Sequence, residues 1–123
     1  MLSTNYPEGV ENEIFSLVYN PQNNTILCGS NNGLINAWKI HTWEYVCCFS
    51  GHKAAVVTMV LDGKILFSGS EDTTIKVWET VKNYLMFSLE GNGATVRSLI
   101  ILRPEGYLLS CSEKKIRVWD YKN

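Results

Sequence analysis

Three tryptophans, Trp38, Trp78 and Trp119, stand 40 and 41 residues apart (78 − 38 and 119 − 78). Each closes a similar phrase: "CGSNNGLINAW", "SGSEDTTIKVW" and "SCSEKKIRVW", the third one residue shorter. Upstream of them "IFSLVYNPQNNTIL", "VVTMVLDGKIL" and "VRSLIILRPEGYLL" also align, each an apolar run, a turn cluster and a second apolar run. A period of this length marks a supersecondary unit that buries its apolar face only by stacking on its neighbours. The chain is therefore expected to be a row of like units, spanning residues 1–50, 51–90 and 91–123, with 1–8 an irregular lead-in.

Local signals make each unit a β-meander. Val56 to Leu61 and Ile65 to Ser70 flank "DG", a strong short hairpin signal, and "NPQNN" and "RPEG" supply turn geometry at the same place in the other units. "TTIKVW" alternates polar and apolar residues as a half-buried strand does, and "WEYVCCF" and "NYLMFSL" add a fourth strand to two of the units. The third unit ends at "VWDYKN" with three strands, and no segment has helical periodicity. The expected fold is all-β: three antiparallel blades designed on a four-stranded plan, the last lacking its outer strand.

These phrases resemble the WD-repeat family, whose repeats build β-propeller blades. "GH" at Gly51 and His52 followed by "SGSEDTTIKVWE" is close to the family pattern, with Glu79 in place of the aspartate of the Trp-Asp pair. Repeat 1 has Gly9 and Val10 at the Gly-His position, and repeat 3 has Gly91 and Asn92 there and ends in Trp119 and Asp120. The resemblance implies a partial β-propeller in which His52, Ser68, Asp72 and Trp78 form a buried hydrogen-bonded network, with Ser70 as an alternative to Ser68 on the same face. The matching positions are Val10, Cys28, Asn32 and Trp38 in repeat 1, and Asn92, Ser110, Glu113 or Lys114, and Trp119 in repeat 3. Only repeat 2 is complete, so repeats 1 and 3 are expected to be less rigid.

Serine, histidine and aspartate are also the residue types of a hydrolase triad. A nucleophile needs exposure and an oxyanion site, commonly on a G-x-S-x-G elbow, and no such motif occurs. No catalytic residue is expected. Cys28, Cys47, Cys48 and Cys111 follow no C-x-x-C spacing, and His41 and His52 lie apart from any such pair, so neither a metal nor a cofactor is expected and the thiols read as reduced and structural. "EGNGATVRS" has the glycines of a phosphate loop but neither its lysine nor its spacing.

The longest apolar runs are too short for the roughly 20 residues of a membrane helix, and "MLSTNYPEGVENE" lacks the basic start and apolar run of a signal peptide. The expectation is an intracellular protein without a membrane span.

Three blades do not close a ring, since propellers have about 4 to 8. The end faces should need cover from further blades of a longer chain, from a partner, or from a second copy. Net charge runs from −3 over residues 1–50 through −1 over 51–90 to +3 over 91–123, a gradient that favours head-to-tail contact.

The family resemblance implies a non-catalytic scaffold that binds a protein or peptide on the face carrying the loops between the fourth and first strands and between the second and third. Carried onto this chain, the candidate contacts are Asn31, Glu71 and Glu113 beside the turns, Lys53 and Ala55 after the Gly-His pair, and Phe15, Val57 and Arg97 on the first strands. Arg97 leads because arginine is enriched at binding hot spots. Trp43, the one tryptophan out of phase, reads as a half-buried rim residue. A purely architectural place in a large ribosome-like or axoneme-like assembly is the competing role. Nucleic-acid contact through the basic cluster "EKKIR" is a weaker alternative, given 11 basic against 12 acidic residues overall.

Overall fold

The computed structural model describes residues 12–122. The proposed lead-in 1–8 and the repeat 1 pair Gly9 and Val10 lie outside the described residues. Among the described residues, eleven strands run in chain order through three antiparallel sheets. The first sheet holds β1 (Ile14–Asn20), β2 (Thr25–Ser30), β3 (Ile35–Lys39) and β4 (Tyr45–Phe49). The second holds β5 (Val56–Asp62), β6 (Ile65–Ser70), β7 (Ile75–Glu79) and β8 (Tyr84–Leu89). The third holds β9 (Ser98–Leu102), β10 (Tyr107–Ser112) and β11 (Lys115–Asp120), with no fourth strand among the described residues.

The equivalent registers show how the repeat reads out. Leu66 opposes Trp78 and Ser68 opposes Lys76, just as Ile26 opposes Trp38 and Cys28 opposes Asn36, and Leu108 opposes Trp119 and Ser110 opposes Arg117. Period-2 alternation then puts Trp78 and Trp119 on the face their sheets turn toward the preceding one, and Trp38 on the equivalent, open face of the first sheet.

Two cores fill the gaps between sheets. Leu27, Ala37 and Phe49 of the first sheet meet Met59, Leu66 and Trp78 of the second, and the rings of Phe49 and Trp78 pack edge to face at 5.4 Å. Phe67, Ile75 and Val77, on the opposite face of the second sheet, meet Val96, Leu99 and Leu108. The second sheet is thus covered on both faces, and the outer two sheets on one each. Leu17 (60% exposed) stands on the open face of the first sheet; Ile116 (73%) and Val118 (61%) stand on that of the third. The three sheets form an open arc, part of a propeller.

Polar clasps cross the same gaps. Ser16 Oγ donates to the Val56 carbonyl at 3.0 Å, and Tyr121 Oη donates to Asp62 Oδ2 at 2.6 Å, a carboxylate that Arg103 also meets at 3.3 Å. That hydrogen bond from Tyr121, with Arg103 beside it, holds the Asp62 carboxyl below its usual range. Desolvation first, then Asp62 itself, pushes the Tyr121 hydroxyl up to about 12. Gly33 shows how close the packing is: at φ +89 it is in a region side chains avoid, and a Cβ there would lie 2.5 Å from the His52 carbonyl oxygen.

Candidate interaction face and its buried support

The second sheet assembles its network from four places in the chain. β6 supplies Ser68, the turn after it supplies Asp72, β7 supplies Trp78, and the loop before β5 supplies His52. Ser68 Oγ lies 2.8 Å from Trp78 Nε1 and 2.7 Å from His52 Nε2, and His52 Nδ1 lies 2.8 Å from Asp72 Oδ2. An indole N–H only donates, so Ser68 accepts from Trp78; of the two acceptors its own hydroxyl proton can reach, His52 Nε2 at 2.7 Å is nearer than the Lys76 carbonyl at 3.5 Å, which assigns the proton to the His52 side. The imidazole is then neutral, with its proton on Nδ1 pointing at the carboxylate.

Electrostatics agree with that assignment. Burial lowers the His52 pKa from its ordinary 6.5, outweighing the pull of Asp72 in the other direction. Asp72 feels burial too, which raises its pKa. The hydroxyl and amide of Thr74, the Lys53 amide and the His52 ring outweigh it and hold the carboxylate well below the ordinary range. Asp72 thereby fixes the main chain of Lys53 and of its own turn at one point. Ser68 is fully buried, so it has no route to a substrate.

Ser68 and Ser70 share a face but not a role. Ser70 Oγ donates to the Ala54 carbonyl and accepts from the Asp72 amide, pinning the turn rather than joining the tryptophan.

The other two sheets use fewer members. In the third, Trp119 Nε1 donates to Ser110 Oγ at 2.9 Å and Ser110 donates to Asn92 Oδ1 at 3.3 Å. Asn92 then turns its amide to the Thr73 carbonyl, 3.2 Å away, in the second sheet's turn. Neither Glu113 nor Lys114 hydrogen-bonds to this group, because the shorter turn leaves Glu113 at φ 44 as part of a tight reversal between β10 and β11. In the first sheet Cys28 occupies the serine place, and Trp38 Nε1 is buried with no acceptor among the described residues. Asn32 there bonds Ser30 and the Leu34 amide, within its own turn.

The candidate contacts lie at one end of the sheets. Asn31, Glu71 and Arg97 are exposed, and their amides bond to the carbonyls of Glu13, Ala55 and Cys111, tying the turns to the segments leading into the inner strands. Phe15 is 46% exposed, and Lys53 and Glu113 are exposed. Val57 is half-buried. Ala55 is 2% exposed, its methyl in the core and its carbonyl holding Glu71, so it presents nothing to a partner. Trp43 is half-buried at φ 60 in the turn before β4. Arg117, singled out in the sequence only as the end of the basic cluster "EKKIR", is half-buried with Nε unpartnered among the described residues, and stands where β7 has Lys76.

No group of three or more potential metal ligands occurs among the described residues, and no helix is long and apolar enough to cross a membrane.

Comparison with known proteins places this architecture. The family "WD domain, G-beta repeat" matches residues 4–39, 43–79 and 83–120. Small ribosomal subunit protein RACK1y of Oryza sativa subsp. japonica is 26% identical over 106 residues, covering 85% of this chain and 31% of that protein. Nuclear distribution protein nudF 1 of Talaromyces marneffei is 29% identical over 119 residues, covering 92% and 26%. Two solved structures, RRP9 WD40 repeats and U3-55K, superpose with a TM-score of 0.85 at 24% identity over 94% of this chain and 37% and 38% of theirs. The chain spans about a third or less of the relatives it matches.

Proposed function

This chain belongs to the WD-repeat family, and on that premise we propose that it is a non-catalytic protein-interaction scaffold, a propeller segment working inside a larger propeller or multisubunit assembly within the cell. The repeat units 1–50, 51–90 and 91–123 act together as one platform. The observation that carries the reading is the pairing of exposure with rigidity at one end of the sheets. Phe15, Asn31, Lys53, Glu71, Arg97 and Glu113 offer side chains to solvent, while the backbones around Asn31, Lys53, Glu71 and Arg97 are held by hydrogen bonds. A preorganised surface of this kind binds without first losing loop entropy.

The open faces around Leu17 and Ile116 support the second part of the proposal, since contiguous exposed apolar faces are normally covered in an assembly. They also favour the purely architectural role, in which the blades only fill a place. A photo-crosslinking amino acid at Glu71 or Arg97, compared with one at Lys82 on the outer rim, tests the reading in cells. Crosslinks to a discrete protein from positions 71 and 97 and not from 82 are expected; crosslinks from the rim alone would overturn it.

A further inference from the structure

Asparagine is followed by glycine twice in this chain, at Asn32-Gly33 and at Asn92-Gly93. In such a pair the glycine nitrogen can reach the asparagine side-chain carbonyl carbon with no side chain of its own in the way. The two pairs share that chemistry and differ in what holds them.

Asn32 is held firmly. Its Oδ1 accepts from Ser30 Oγ at 2.8 Å and from the Leu34 amide at 3.1 Å, and the Gly33 amide donates to the Ser30 carbonyl at 3.2 Å. Gly33 is also buried against the His52 carbonyl, so this turn has no room to rearrange. Asn92 is held loosely. Its Oδ1 accepts from Ser110 Oγ at 3.3 Å, longer than the roughly 3.0 Å limit of ordinary hydroxyl bonds, and its Nδ2 reaches the Thr73 carbonyl at 3.2 Å. The Gly93 amide donates to no group among the described residues. Gly93 is exposed, and a Cβ there would meet nothing within 4 Å, so the backbone has space to turn. Lys114, Lys115 and Arg117 line the recess beside both residues against one carboxylate, Glu113, and positive charge nearby favours the amide anion that must form on the glycine nitrogen.

We propose that Asn92-Gly93 is a site of self-modification by deamidation, with water as the only co-reactant. The Gly93 nitrogen gives up its proton to water and attacks Asn92 Cγ, forming a cyclic imide. The Cγ–Nδ2 bond breaks, and the nitrogen takes up a proton and leaves as ammonia. A water molecule then adds to either imide carbonyl and opens the ring to aspartate or isoaspartate. The Asn92 side chain must first leave Ser110 and Thr73, so the rate reads how often this latch opens.

The product keeps one arm of the latch and breaks the other. A carboxylate still accepts from Ser110, but it cannot donate to the Thr73 carbonyl and meets that oxygen with like charge. Isoaspartate also lengthens the main chain by one carbon ahead of Val96, whose amide bonds the Ser70 carbonyl at 3.1 Å. Both contacts brace the turn that carries Glu71 against the segment that carries Arg97, so the modification loosens the interaction face from within.

Incubating the full chain at neutral pH, followed by peptide mapping that resolves asparagine, aspartate and isoaspartate, tests the assignment. Conversion in the folded chain should be at least ~10-fold faster at Asn92 than at Asn32, a difference of about 1.4 kcal/mol in barrier. In concentrated urea the two sites should convert at similar rates, which assigns the difference to the fold. In the converted fraction, separated on its added negative charge, the amides of Thr73 and Val96 should exchange deuterium faster than in the parent. Conversion at Asn32 as fast as at Asn92, conversion at Asn92 confined to urea, or unchanged exchange at both amides would each overturn the proposal. The crosslinks from positions 71 and 97 use unmodified chain, so the scaffold reading stands or falls separately.

Discussion

The Asn92 side chain, buried in the loop that leads into the third sheet, donates to the main-chain carbonyl of Thr73 in the second sheet's turn, 3.2 Å away. Its oxygen meanwhile accepts from Ser110 in its own sheet. One amide therefore spans two repeats, where the second repeat uses a histidine to bind only within itself. Asn92→Ala should cost about 1–3 kcal/mol by leaving the Thr73 carbonyl and the Ser110 hydroxyl short of partners. Urea unfolding of the full chain measures this, and a loss below about 0.5 kcal/mol would remove Asn92 from the sheet-to-sheet coupling.

Ser68 holds two buried partners at once, so its loss should be the more severe. Ser68→Ala leaves Trp78 Nε1 without an acceptor and His52 Nε2 without a donor, for a cost of about 3 kcal/mol. Ser70→Ala releases the turn instead and leaves the tryptophan satisfied. Equal losses for the two variants would mean that the register of donors described above is wrong.

The first sheet offers the reverse experiment. Cys28 sits opposite Asn36 in the register that places Ser68 opposite Lys76, so a hydroxyl there would stand where Trp38 Nε1 lacks an acceptor. Cys28→Ser is expected to raise stability by about 1 kcal/mol, read from the thermal or urea midpoint. Destabilisation by a similar amount would show that the sulfur's packing outweighs the missing hydrogen bond.

Acid should weaken the second sheet first. The folded His52 titrates below its ordinary 6.5, so the unfolded chain binds the proton more readily in the window beneath that value, and stability falls as the pH drops through it. The Asp72 carboxyl, also lowered, contributes stability that is present above its ordinary 3.8 and is lost at more acid pH still, so the two effects share a sign. Urea midpoints at pH 7 and pH 5.5 should show a decline that shrinks in His52→Asn, which has no proton to gain. An unchanged decline in that variant would place the titrating group elsewhere.

The strands were legible because two independent signals agreed, the 40-residue period and the alternation within each phrase. Turn chemistry at Asn-Pro, Asp-Gly and Arg-Pro divided the phrases into hairpins. What escaped the sequence depends on contacts between repeats or on depth within one. Ser68 and Ser70 are equivalent in alternation, and only the reach of Trp78 separates them. Ala55 follows the Gly-His pair as a surface residue would, yet its methyl points into the core. The bond from Asn92 goes to a backbone carbonyl, which has no signature in the side-chain pattern, and Arg117 is distinguished from Lys76 only by the absence of a β8 equivalent among the described residues.

Coverage of the second sheet on both faces has a kinetic consequence. The amides of its central strands β6 and β7 can exchange with solvent only after at least one flanking sheet has moved away, whereas its outer strand β8 is exposed and the first and third sheets already have one face in water. Deuterium uptake should accordingly be slowest in Leu66 to Ser70 and fastest along β1 and β11. The middle repeat then acts as the clock of the chain, setting how long any bound partner finds the two outer repeats in register with each other.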